Sequence, residues 1–84
     1  MFDMTKHKYV RLKEYDTFIF FPTIIEHSEF KYLTPISAGF CYLDKQGIVE
    51  CFGSSHSLHL DSKEDDTKLA TKQVYGWDAM LELK

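Results

Sequence analysis

The apolar positions of this chain recur mainly at every second residue, the spacing of strands that bury one face. In the stretch 8–12, Val10 and Leu12 point one way and Tyr9 and Arg11 the other, which predicts a half-buried first strand. Glu14-Tyr15-Asp16 reads as a turn. Residues 17–21 are β-formers and apolar on both faces, so a strand here belongs centrally or needs cover on its outer face. Pro22 ends it, because proline donates nothing to a ladder. Residues 23–33 carry two signals. Ile24 and Ile25 extend the strand, whereas Ser28 caps a short helix over 29–33 with Phe30 and Leu33 inward. Pro35 stops any such helix.

The hairpin is the plainest local signal. Residues 36–43 and 48–52 flank Asp44-Lys45-Gln46-Gly47, with Asp at the first turn position and Gly at the fourth, which suits a type I turn and a glycine bulge. Pairing Asp44 with Ile48 sets Leu43 against Val49, Tyr42 against Glu50, Cys41 against Cys51 and Phe40 against Phe52. Cys41, Leu43, Val49 and Cys51 then share one apolar face, the expected core face, and Tyr42 turns away from it.

Gly53-Ser54-Ser55 makes a bend, and His56 to Leu60 alternates as a short strand with Leu58 and Leu60 inward. Ser62 is the expected N-cap of a helix over about 63–75, with Asp65 reaching back to the Ser62 N–H. Glu64, Asp65 and Asp66 place negative charge at the positive end of its dipole. Leu69, Ala70, Gln73 and Val74 form one stripe, and Gly76 suits the C′ position. The tail alternates Trp77, Ala79, Leu81 and Leu83 against polar neighbours and reads as a final strand, although its composition also favours helix. These elements predict an α+β fold in a single domain, residues 1–84: a small antiparallel sheet of four to six strands with one helix packed on one face. Leu12, Ile19, Phe21, Leu43, Val49, Cys51, Leu58, Leu60, Leu69 and Val74 are its expected core.

Composition changes the picture in three ways. Seven Phe, five Tyr and one Trp in 84 residues are more aromatic groups than so small a core hides, so some belong on the surface, where they mark interfaces. The formal charge of −3 argues against bulk attraction to nucleic acid. Its distribution is uneven: Lys6, Lys8, Arg11 and Lys13 lie near the N-terminus, and four acids crowd residues 61–66. No apolar run approaches the ~20 residues of a membrane span, and no secretory apolar segment opens the chain. A cytoplasmic protein with reduced Cys41 and Cys51 is the expectation.

No catalytic, cofactor or metal assignment survives inspection of the reactive residues. His56 and His59, three apart in a strand, point to opposite faces and do not converge with Cys51 and Asp61 as zinc requires. Cys51 falls on the buried face, unlike a catalytic thiol, and Gly-Ser-Ser-His-Ser over 53–57 is not a nucleophile elbow. The serines and histidines of 54–59 can hold a small anion or a partner's main chain, but serving the bend's own backbone is the simpler role. The basic first strand, with Tyr9 among its cations, has the makings of a single-strand nucleic-acid platform. In an acidic chain it reads instead as an edge protected by lysines, and no nucleic acid is expected.

The stretch Cys51-Phe-Gly-Ser-Ser-His-Ser-Leu58, followed by the Ser62-capped acidic helix start, resembles a pattern in small uncharacterised bacterial and prophage-type α+β proteins; Ser37-Ala-Gly-Phe40 resembles the strand before it. The likeness covers about a third of the chain. Lys63-Glu64 departs from the Arg-Pro of that pattern. The resemblance implies a small α+β domain of bacterial or mobile-element context and carries over no functional residue.

The leading expectation is a non-catalytic protein-binding domain, by analogy a phage-type inhibitor that occludes a larger host or defence protein with a basic surface. Its contact residues would be Glu64, Asp65 and Asp66 with the aromatic groups Tyr42, Tyr75 and Trp77. One alternative is a self-associating accessory domain, a homodimer through an edge strand such as 77–83. Another is a small enzyme using Cys51 or a serine of 54–57.

Overall fold

The computed structural model describes residues 5–82, with side chains described for residues 5–74. Four antiparallel strands form the main sheet: β1 (His7–Leu12), β2 (Phe18–Phe21), β3 (Pro35–Leu43) and β4 (Val49–Phe52), in the order β2-β1-β3-β4. A two-residue pair, β5 (Ser54–Ser55) and β6 (Leu60–Asp61), makes a second small sheet, and α1 (Asp66–Glu82) ends the described chain. The protein is thus a small α+β fold, as the pattern predicts.

The hairpin β3–β4 has the expected register at all four pairs, Phe40 with Phe52 through Leu43 with Val49. The Asp44 carboxylate accepts from the Gln46 and Ile48 N–H groups at 2.8 and 2.9 Å, and Gly47 takes φ 84°. The Cys51 N–H turns outward to the Thr67 hydroxyl, 2.9 Å away, so Cys41 and Cys51 face each other at a non-hydrogen-bonded pair of the ladder, both as free thiols.

The first strand is not a lysine-guarded edge. β1 lies between β2 and β3, and Lys8 through Arg11 are all buried. Alternation still sorts its side chains, but both faces are covered. Tyr9 joins Phe18, Cys41, Val49 and Ala70 under α1, with Phe20, Leu43, Cys51 and Leu69 packed around them. Val10 joins Phe21 and Ala38 on the other face, closed by Ile25 and Phe30 and by Leu58 and Leu60. Two polar groups are drawn inside with the strand: Lys8 donates to the Ile25 carbonyl at 2.9 Å, and Arg11 meets carboxylates described below.

Several boundaries differ from the sequence reading. Residues 27–33 form a 3₁₀ turn, with Ile24 fully outside. His56–His59 is a turn, and only Leu60–Asp61 pairs as strand. The back-reaching carboxylate at the helix start is Asp66 on the Lys63 N–H at 2.9 Å, one residue later than the Ser62–Asp65 box. α1 runs through Gly76 to Glu82, so 77–82 is helix and not strand; the helix formers Ala79, Met80 and Leu81 outweigh the roughly 1 kcal/mol cost of an interior glycine. Val74 is 47% exposed, on a pocket that it lines with His7, Phe20 and Leu43.

α1 also covers both edges of the sheet. Thr67 and Thr71, one turn apart, accept from the β4 N–H groups of Cys51 and Val49 at 2.9 and 2.8 Å. On the opposite edge the Gln73 amide accepts from the Phe18 N–H at 2.7 Å and donates to its carbonyl at 2.9 Å, as a neighbouring strand would. These contacts occupy edge positions that would otherwise template pairing with a second chain.

Candidate partner-binding site

The site grows from Arg11, near the end of β1. Its guanidinium is buried and reaches three carboxylates: Asp16 at 2.9 Å, Asp65 at 2.8 Å and Asp66 at 2.8 Å. Burial disfavours its charge, but the hydrogen bonds it donates to Asp65, Asp16 and Asp66 more than compensate and hold it as a cation. Asp66 has no exposed surface. It accepts from Tyr9 Oη, Arg11 Nη1, Ser37 Oγ and the Lys63 N–H, so every lone-pair direction of the carboxylate is used. Burial and the adjoining Asp66 push the Tyr9 phenol far above its ordinary value, keeping it a donor.

One guanidinium against three carboxylates leaves two negative charges, and the exposed part of the cluster is the half-open Asp16 and Asp65. The hydrogen bond from Arg11 holds the Asp65 carboxyl below the usual carboxylate range, so it stays ionised. Glu14 and Glu64, both exposed, flank these two residues in sequence.

Tyr15 stands in the middle. It is 93% exposed at φ 59°, and Asp16 beside it has φ 49°. A left-handed conformation costs an L-residue about 1–2 kcal/mol. The Asp16 carboxylate holds the turn by accepting from Arg11 Nε and Nη2 at 3.1 and 2.9 Å. Between this turn and α1 runs a groove of about 550 Å³, lined by Tyr15, Asp16, Thr17, Leu69, Lys72 and Gln73.

The residues singled out from sequence divide accordingly. Asp65 belongs to the Arg11 cluster, and Glu64 is the exposed residue before it. Asp66, buried among Tyr9, Arg11 and Ser37, lies out of a partner's reach and serves the fold. Tyr42 is half-buried on the opposite face of the sheet, five residues and about 17 Å along β3 from Ser37. Tyr75 and Trp77 fall on α1, but their side chains lie outside the described residues. Tyr15, Asp16 and Arg11 went unrecognised. The available signal was an aromatic residue inside a tight turn, where no core position exists for it.

Both cysteines are free thiols. Burial pushes the Cys41 thiol up to about 11 and, with the neighbouring Cys41 and Asp66, the Cys51 thiol up to about 12, so both stay protonated at neutral pH. The Ser55 hydroxyl accepts from the Leu58 N–H at 3.3 Å and lies 3.4 Å from the Ser57 hydroxyl. Among the described residues no three acidic, histidine or cysteine groups converge as metal ligands, and no helix is long and apolar enough to cross a membrane. No protein-family model, no curated protein and no solved structure matches the chain.

Proposed function

We propose that this domain is a non-catalytic binding protein that docks on a basic surface of a larger protein through the Tyr15 turn and the acidic groups around it. The observation that carries the reading is the presentation of Tyr15. An aromatic side chain is held wholly in solvent on a strained turn, pinned by a buried arginine and bordered by Glu14, Asp16, Glu64 and Asp65. Residual negative charge steers a cationic surface to the site. A pre-set aromatic ring beside a groove then supplies the anchoring contact that charge alone does not give. Arginine suits this frame best, because its guanidinium stacks on the tyrosine face while binding a carboxylate. By analogy with very small phage-type proteins, the reading extends to a small inhibitor that works by occluding its target.

The covered sheet edges favour this over a homodimer through strand pairing, and the helical state of 77–82 removes the strand such a dimer would have used. The raised pKa of both thiols, one buried and one half-buried, favours it over cysteine chemistry. The test compares wild-type protein with a Glu14→Gln, Tyr15→Ser, Glu64→Gln variant, none of which touches the Arg11 network. Both are immobilised, and binding of proteins from a cell lysate is followed at rising salt. Wild-type protein should retain a partner whose association slows with salt, and the folded variant should lose it. Equal retention by both proteins removes the proposal.

A further inference from the structure

The far end of β1 carries a second, differently built cleft, on the sheet face opposite α1. It holds about 510 Å³, within the range of small-ligand sites. Its floor is aromatic. Phe40 and Phe52 pair across β3 and β4 with rings 6.1 Å apart and inclined at 29°, and Tyr42 continues the row at 6.1 Å from Phe52. Phe52 keeps 41% of its surface open. Its wall is the turn after Gly53, which brings Ser54, His56 and Ser57 to the cleft. Gly53 has φ 78°, and its missing side chain leaves the Phe40 ring edge uncovered, since a Cβ there would lie 3.2 Å from that ring.

Charge along the cleft is graded. Lys6 holds its ammonium 4.8 Å above the Phe40 ring and pairs with no carboxylate among the described residues. Lys8 is already engaged by the Ile25 carbonyl at 2.9 Å and by Glu26 at 3.9 Å. The other end of the aromatic row carries Glu50, opposite Tyr42. The Lys6–His56–Ser54 end therefore suits an anion, and the Phe52 end a flat neutral ring.

We propose that this cleft binds a mononucleotide, with the base stacked on Phe52 and the phosphate held by Lys6, His56 and the hydroxyls of Ser54 and Ser57. Aromatic rings accept any base because every base has a π-face. A single phosphate fits a site with one uncommitted cation among the described residues, whereas a polynucleotide would meet the net negative charge of the chain and the carboxylates of Glu26 and Glu50. The inference does not rest on the protein-docking reading, since the two surfaces share no residue.

The experiment titrates the full chain with AMP, adenosine, inorganic phosphate and a short single-stranded oligonucleotide, followed by amide chemical shifts. AMP should bind saturably below about 5 mM and move the signals of Lys6, Phe52, Gly53, Ser54 and His56. Adenosine and phosphate should each bind more weakly, and the oligonucleotide no more tightly per nucleotide. Phe52→Ser, at an open surface position, should weaken AMP roughly ten-fold, the worth of one stacked ring. Lys6→Ala should weaken AMP and leave adenosine unchanged. The proposal is overturned if AMP does not saturate, if its shifts fall elsewhere on the wild-type protein, if adenosine matches AMP, or if the oligonucleotide binds far more tightly.

Discussion

Removing the Asp66 carboxylate tests the buried network directly. The group is fully buried and accepts from Tyr9, Arg11, Ser37 and the Lys63 N–H. Breaking a buried ion pair from one side typically costs 3–5 kcal/mol, because the other charge is left uncompensated. Here Arg11 keeps Asp16 and Asp65, which places the charge component near the bottom of that range, about 3 kcal/mol. The Tyr9 and Ser37 hydroxyls then lose a buried acceptor, at about 1 kcal/mol or more each. Asp66→Ala should therefore cost about 5 kcal/mol, close to the whole stability of a domain of 84 residues. Asp66→Asn keeps the shape and part of the acceptor capacity and should cost about 2–3 kcal/mol. The assay is urea unfolding followed by circular dichroism. With a slope of about 1 kcal/mol per molar, Asp66→Asn should move the midpoint down by about 2 M. Asp65→Asn, at the solvent end of the same cluster, should leave the midpoint nearly in place. A loss under about 1 kcal/mol for Asp66→Ala would refute the reasoning, because the carboxylate would then be neither buried nor needed.

Three further outcomes are expected. Tyr15→Gly should hold or raise stability by up to about 1 kcal/mol, since glycine takes a positive φ without strain, while abolishing partner binding; a destabilised variant would show that the ring packs on the fold. Replacing Thr67 and Thr71 by Val, and Gln73 by Leu, should leave the monomer folded but make its light scattering rise with concentration, as freed edge groups seek a second chain. Burial pushes the His27 imidazole below its ordinary 6.5, against the pull of its hydrogen bond to the Gly39 carbonyl, so the unfolded chain takes up this proton first as pH falls. Stability should be full above that pH and decline as pH drops through 6.5 toward the lower folded value, and His27→Phe should flatten that step.

What the sequence disclosed was local. Asp44 and Gly47 specify their turn through contacts within four residues, so the hairpin register and the shared face of Cys41, Leu43, Val49 and Cys51 were readable from spacing alone. Arg11 shows where that reading stops. In isolation it marks a solvent-facing position, yet carboxylates 54 and 55 residues away make burial affordable and turn β1 into a central strand. Asp66 was misread for the same reason: three consecutive acids look like one exposed patch until Tyr9 and Ser37 claim one of them. The tail was ambiguous because alternation and helix propensity disagree over 77–82, and propensity won. The exposure of the Tyr15 ring is not legible locally, because Glu14-Tyr15-Asp16 specifies a turn through its backbone and leaves the ring's surroundings to distant residues.

The central claim, that the Tyr15 turn and the acids beside it form the docking surface, is tested most directly by amide chemical-shift mapping with a soluble arginine-rich peptide as probe. The account predicts shifts confined to residues 14–17, 63–65 and 69–73, weakened by added salt and absent in the Glu14→Gln, Tyr15→Ser, Glu64→Gln variant. Shifts centred on the opposite sheet face around Tyr42, or a wild-type protein the peptide leaves untouched at low salt, would contradict it.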